Sequence, residues 1–371
     1  MDHGHLFAAQ AQYHLMTMDS SLASSLFAPV VPADEAIRTS AYRRLDSLTK
    51  PQGSLGRLEQ LAAQACAVQR TLQINITKPT CIVFAADHGA AASGVSAYPR
   101  EVTAQMVDNF LRGGAAISVL ADLEELDLWI VDAGVAAACS VHPRLIEAKV
   151  NPGTRNFIVE PAMTSAECTQ ALLRGRGVIE NHMGPNSNTL VLGEMGIGNT
   201  ASAALLMHGL TGQPLSRCVG RGTGLDDVGL ERKRLLLDQA FARRAAPPQG
   251  ALEWLTEYGG YEIAMLVGAM MAGAARGALI MVDGFTVTVA ATLAIALNPH
   301  VKDYCVFSHC SAEHGHRALL DHLDVKPLLD LEMRLGEGSG AAVALPILRA
   351  AASLFTRMAT FESAGVSNKA G

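Results

Sequence analysis

Cys81-Ile82-Val83-Phe84-Ala85-Ala86 is an unbroken apolar run that ends in Asp87-His88-Gly89. Six apolar residues with no polar alternation fit a strand buried on both faces, as in parallel sheets. The pattern recurs. Leu128 to Val131 ends at Asp132-Ala133-Gly134, Thr189 to Leu192 at Gly193-Glu194, Ala278 to Val282 at Asp283-Gly284, and Tyr304 to Phe307 at Ser308-His309. Helical stretches such as Thr103 to Leu120 and Asp226 to Ala245 lie between them. Strand, polar or glycine loop, helix, repeated, predicts an α/β protein with a doubly wound parallel sheet. Ligands of such sheets bind beyond the carboxyl ends of the strands, so these loops are where chemistry is expected.

Around this centre the chain reads as follows. Residues 1 to 34 lack clear periodicity and form an arm. Helices are expected over Ala33 to Leu48 and from Leu55 to about Arg70, joined by the turn Lys50-Pro51-Gln52-Gly53-Ser54-Leu55-Gly56. An Ala-rich helix is expected over Ala341 to Arg357. The stretch Tyr261 to Pro299 is very apolar, but Glu262, Arg276 and Asp283 interrupt it. Its uncharged pieces fall short of the roughly 18 to 20 residues a membrane span needs, so it reads as buried helix and strand.

Bulk properties narrow the function. With 371 residues, 49% of them hydrophobic, the chain can bury one large core or two. The net charge is −6 and no basic run tracks a polyanion, which argues against nucleic acid as a partner. Seven scattered cysteines without a C-x-x-C pair point to a reducing, cytoplasmic setting and away from structural zinc. Met1 to Tyr13 has no basic stretch followed by an apolar one, so no signal peptide is predicted.

Four loops carry candidate chemistry. Gly193-Glu194-Met195-Gly196-Ile197-Gly198-Asn199-Thr200-Ala201 follows a strand and opens a helix, a place where backbone amides meet phosphate. Gly196-x-Gly198-x-x-Ala201 also fits a relaxed dinucleotide fingerprint, although the acidic residue expected about 20 positions on is missing near Ser216 to Gly220. Gly220-Arg221-Gly222-Thr223-Gly224-Leu225-Asp226-Asp227 is a second close-approach loop. Lys233 beyond it either reaches back to a phosphate or lies on a solvated face beside Arg232 and Arg234. Ser308-His309-Cys310-Ser311-Ala312-Glu313-His314-Gly315-His316 invites a metal, but the spacing matches no zinc pattern, and a hydroxyl such as Ser311 holding phosphate or sugar fits better. In Arg334-Leu335-Gly336-Glu337-Gly338-Ser339-Gly340, Glu337 sits next to a helix with Ser339 as its expected N-cap. It is either an ionised base or a helix-capping, solvent-exposed side chain. Two further loops, Gly94 to Gln105 with Ser96, Tyr98 and Gln105, and Asp283-Gly284-Phe285-Thr286, offer polar groups and rings to a flat apolar pocket.

Taken in order, Lys50 to Glu59, Ala86-Asp87-His88-Gly89, Asn109 to Ile117, Gly153-Thr154-Arg155-Asn156-Phe157, Gly193 to Thr200, Gly220 to Lys233, Asp283-Gly284-Phe285 and Arg334 to Gly340 closely resemble the nicotinate-nucleotide–dimethylbenzimidazole phosphoribosyltransferase family over residues 36 to 366. The resemblance implies a Rossmann-like, mainly parallel domain (76–330) carrying most of the active site, and a small helical domain built from both chain ends (35–75 with 331–371). It implies a homodimer and two small-molecule substrates, nicotinate mononucleotide and 5,6-dimethylbenzimidazole; no cofactor is expected, and neither a metal nor a membrane on the spacing and run lengths above. It implies Glu337 as catalytic base with Glu194 also in the site. Gly196, Gly198, Asn199, Thr200, Gly222, Lys233, Asp283, Gly284, Phe285 and Ser311 would hold the nucleotide; Ser96, Tyr98, Gln105, Met195 and Leu335 the acceptor base. Ala201 stands where Thr or Ser is expected, which matters little if amides do the binding. The alternatives are an NAD-dependent oxidoreductase, a non-catalytic nucleotide-binding protein on the same fold, and a family member using adenine or a phenol as acceptor.

Overall fold

A computed structural model describes residues 25–367. Helices α1 (Glu35–Ser47) and α2 (Arg57–Gln69) precede β1 (Thr80–Ala86). Helices α3 (Val102–Leu111) and α4 (Ala116–Leu123) lead to β2 (Asp127–Gly134) and the short β3 (Leu145–Glu147). Helix α5 (Ser165–His182) leads to β4 (Thr189–Met195). Then come α6 (Asn199–Thr211), α7 (Leu215–Cys218), α8 (Asp227–Ala242), α9 (Ala251–Tyr258) and α10 (Tyr261–Ala275), followed by β5 (Leu279–Val282). Helix α11 (Phe285–Leu297) leads to β6 (Cys305–Phe307), and α12 (His316–His322), α13 (Ser339–Arg357) and α14 (Phe361–Ala364) follow.

The six strands pair in the order β3-β2-β1-β4-β5-β6, and every pairing is parallel. This is a doubly wound sheet whose order reverses between β1 and β4, the switch point at which such sheets hold ligands. Every residue of β1 is buried, as its unbroken apolar sequence requires. Phe84 and Ala85 lie opposite Glu194 and Met195, so β1 delivers Asp87 and His88 beside the loop that β4 opens.

The apolar stretch becomes α10, β5 and α11, all three buried. Helix α10 is apolar nearly all round because it touches β1, β2, β4 and β5 and also packs along α5. That last contact is backbone against backbone: a Cβ on Gly175 would lie 2.6 Å from Met265 Cα. Gly175→Ala should therefore cost ~1–3 kcal/mol, the usual result of overpacking. A urea midpoint equal to wild type would show that α5 and α10 separate freely.

Helix α13 is long and apolar enough to span a membrane by length and composition, yet it lies against α2, α4, β4 and β5. Together α1, α2 and α13 bring the two ends of the described chain into contact, with Arg44 Nε donating to the Phe355 carbonyl at 3.0 Å.

Two expectations change, and a third is only partly covered by the described residues. The single helix from Thr103 to Leu120 is two, since the chain breaks at Gly113 (φ +81°) and restarts at Ala116, giving α4 an N-terminus of its own. The N-cap of α13 is Gly338, and Ser339 is the first helical residue. Most of the arm, residues 1–24, lies outside the described residues. The part that is described packs on its own chain, with Phe27 and Val30 buried and Tyr304 Oη donating to the Val31 carbonyl at 2.8 Å.

Candidate active site

Glu337 lies in a turn of three consecutive left-handed residues, Gly336 (φ +86°), Glu337 (φ +66°) and Gly338 (φ +86°). A non-glycine residue there is strained, and it persists only where its surroundings fix it. Three anchors do so. The Glu337 amide donates to the Glu194 carbonyl at 3.1 Å. Asp283 accepts from Gly338 N at 3.1 Å and from Ala341 N at 3.0 Å, so its two oxygens satisfy the first amides of α13. Gly193 lies directly beneath, and any Cβ on it would overlap the Glu337 carbonyl group.

The Glu337 side chain is 4% exposed, which removes the solvent-exposed reading. It does adjoin a helix N-terminus, but that of α4: Ile117 N donates to Oε2 at 3.4 Å. Burial pushes its pKa above the ordinary carboxylate range; the Ile117 amide opposes this and Asp283 adds to it. Glu194 is pushed further, to about 8, by burial and by the neighbouring Glu262 and Asp283, against a hydrogen bond from Asn199. At neutral pH Glu194 therefore keeps its proton, which limits the negative charge in the site.

Beneath the 196–198 loop, His88 Nε2 and Glu262 Oε1 meet at 2.6 Å, both fully buried. A Cβ on Gly196 would meet the Ala86 carbonyl and one on Gly198 the His88 Cβ at 3.3 Å, so this loop rests on the end of β1.

Lys233 has no exposed surface, so the solvated-face reading is ruled out despite its arginine neighbours. Its Nζ donates to Thr200 Oγ1 at 2.9 Å and to the Gly220 carbonyl at 3.2 Å, joining the 193–200 and 220–227 loops. Burial lowers its pKa to about 8, with Glu313 opposing. The 308–316 loop is fixed from below. His316 Nδ1 accepts from Ser311 N at 2.8 Å, and its Nε2 faces Thr288 Oγ1 at 2.9 Å. Burial, His309 and Arg317 press the His316 pKa down to about 3, so it is a neutral hydrogen-bonding strut. Among the described residues no group of three His, Cys, Asp or Glu side chains is placed to hold a metal ion.

One cleft gathers these loops. Glu194, Met195, Gly196, Asn199, Thr200, Gly222, Gly284, Phe285, Ser311 and Leu335 line it, all of them expected from the sequence. Glu337, Lys233 and Asp283 stand behind its wall, while Ser96, Tyr98 and Gln105 do not line it. Ser96 touches its margin through Thr223 Oγ1 at 3.2 Å; Tyr98 and Gln105 are exposed.

A phosphoribosyltransferase family model matches residues 30–366. A nicotinate-nucleotide–dimethylbenzimidazole phosphoribosyltransferase from Cupriavidus necator is 52% identical over 341 residues, covering 92% of this chain and 98% of that protein. Its namesake from Dechloromonas aromatica is 52% identical over 338 residues, covering 91% and 97%. The chain belongs to the nicotinate-nucleotide–dimethylbenzimidazole phosphoribosyltransferase family. The crystal structure of CobT from Thermus thermophilus superposes with a TM-score of 0.87 at 44% identity, over 90% of this chain and 100% of that one.

For a member of the nicotinate-nucleotide–dimethylbenzimidazole phosphoribosyltransferase family, the glycine loops need no dinucleotide reading. Sequence reasoning left out several residues of the cleft wall: Thr223, Thr286, His309, Glu313 and Arg334. All lie within loops that were singled out, so the loop was legible where the inward-facing side chain was not. Glu262 stood out only as a charge in an apolar stretch, and its partner could not be read because His88 is 174 residues away in sequence.

Proposed function

We propose that the cleft transfers the 5-phosphoribosyl group of nicotinate mononucleotide to a ring nitrogen of 5,6-dimethylbenzimidazole, giving α-ribazole 5′-phosphate and nicotinate for the lower ligand of cobalamin. The observation that carries the reading is the convergence at the sheet's switch point: a strained, buried glutamate, a second carboxyl that holds its proton, and two glycine loops bridged by a buried lysine. The pyridinium nitrogen of the donor is already cationic, so nicotinate leaves without a proton. The benzimidazole attacks the opposite face of an oxocarbenium-like centre and inverts it. Its other ring nitrogen then gives its proton to Glu337, so a single base suffices. Glu194 stays protonated beside it. Lys233, Thr200, Gly222 and Ser311 hold the phosphate; Met195 and Leu335 flank the acceptor ring. A homodimer and a division into a Rossmann-like and a small helical domain belong to the same reading and rest on the family resemblance, while a cytoplasmic setting rests on the scattered cysteines.

Incubation with nicotinate mononucleotide and a panel of benzimidazoles, adenine and phenols, with products identified by mass, tests the reaction; absence of a ribosylated product would refute it. Lys233→Ala should raise the nucleotide KM by roughly 10- to 100-fold, the worth of a hydrogen bond to a charged group. Because the charged form of Lys233 is the binding form, wild-type KM should also climb as pH rises through about 8. An unchanged KM in the variant removes Lys233 from the phosphate site.

A further inference from the structure

The phosphate cradle contains a carboxylate of its own. Glu313 Oε1 accepts from Gly222 N at 3.0 Å, on a loop that lines the cleft through Gly222 and Thr223. The residue is buried, and its carboxylate presses where a side chain on Gly220 would have to go. Its backbone amide donates to the hydroxyl Oγ of Ser311, two residues earlier on the same loop, at 3.2 Å. Lys233, one loop away, has only neutral oxygens as hydrogen-bond partners among the described residues, and Glu313 acts on it through space. A backbone amide on the carboxylate, with a buried lysine acting on it through space, is the kind of environment a bound phosphate oxygen has.

We infer that the Glu313 carboxylate is a built-in occupant of the phosphate cradle, displaced from Gly222 N when the nucleotide phosphate binds and returning to that amide when the phosphorylated product leaves. The inference rests on the assignment of Gly222, Ser311 and Lys233 to phosphate. A resident carboxylate keeps a desolvated lysine loop ordered without a ligand, and it weakens phosphate binding because two anions compete for one amide. Glu313 is thus a positioning residue that sets nucleotide affinity and lets product go.

Calorimetric titration with inorganic phosphate and with nicotinate mononucleotide tests this on wild type, Glu313→Gln and Lys233→Ala. Glutamine keeps an oxygen for Gly222 N and removes the charge. Glu313→Gln should bind both anions about tenfold tighter or more, with a lower nucleotide KM and no gain in kcat. Equal or weaker binding, with Lys233→Ala still weakening it, overturns the role of Glu313 alone. If Lys233→Ala leaves phosphate binding unchanged, the phosphate assignment fails and the inference falls with it. Wild-type protein supplies a readout independent of how the variant folds: the carboxyl ¹³C resonance of Glu313 must shift on adding inorganic phosphate, and a stationary signal refutes displacement.

Discussion

Glu337→Gln should fold like wild type and lose ~10²–10⁴-fold in kcat, the span that general-base catalysis supplies. The amide side chain keeps an oxygen for Ile117 N, so the turn retains its contact with α4. What it loses is the ability to take the proton from the ring nitrogen. Burial also predicts the pH profile. The base works deprotonated and its pKa stands above the ordinary carboxylate range, so wild-type activity should fall as pH drops through that raised value. The variant should show no such limb. Product formation at saturating substrates, across pH, measures both effects. Near wild-type kcat at neutral pH would end the assignment of Glu337 as base.

Gly193→Ala should cost on the order of 10²-fold in kcat, the penalty for shifting a catalytic group by about 1 Å. Gly193 lies in β4, and its missing Cβ leaves room for the Glu337 carbonyl and Gly338 N. A methyl group there must move the turn, because β4 is held by β1 and β5 on either side. Thr200 and Ser311 line the cleft from other loops, with Lys233 holding Thr200 from behind the wall, so the nucleotide KM should change little. A large fall in kcat with steady KM is the expected split. Equal loss in both would mean that the substitution disturbs the whole sheet end.

What could be read from the sequence depends on range. The strands announce themselves, because burial on both faces demands unbroken apolar runs, and the runs of β4, β5 and β6 end at loops that line the cleft. Local patterns placed Glu337 correctly beside the start of α13, but gave no sign that its carboxylate meets a second helix. Its neighbour is α4, which exists because Gly113 and Gly114 break what reads as one helix. Asp283, expected at the nucleotide, spends both oxygens on α13, 55 and 58 residues away. Lys233 sits between two arginines and looks solvated, yet the face it occupies is covered by the Thr200 and Gly220 loops. In each case the deciding partner is distant in sequence, and periodicity carries no information about it.

The cover of Gly193 by the Glu337 turn also has an order in time. Ribosomes make the chain from its N-terminus at ~5–20 residues per second, so β4 emerges on the order of ten seconds before the turn that packs on it. Sheet, glycine loops and Lys233 all precede α13. A nascent chain can therefore assemble the donor half of the cleft while its proton acceptor is still unmade, with the central strand bare at Gly193.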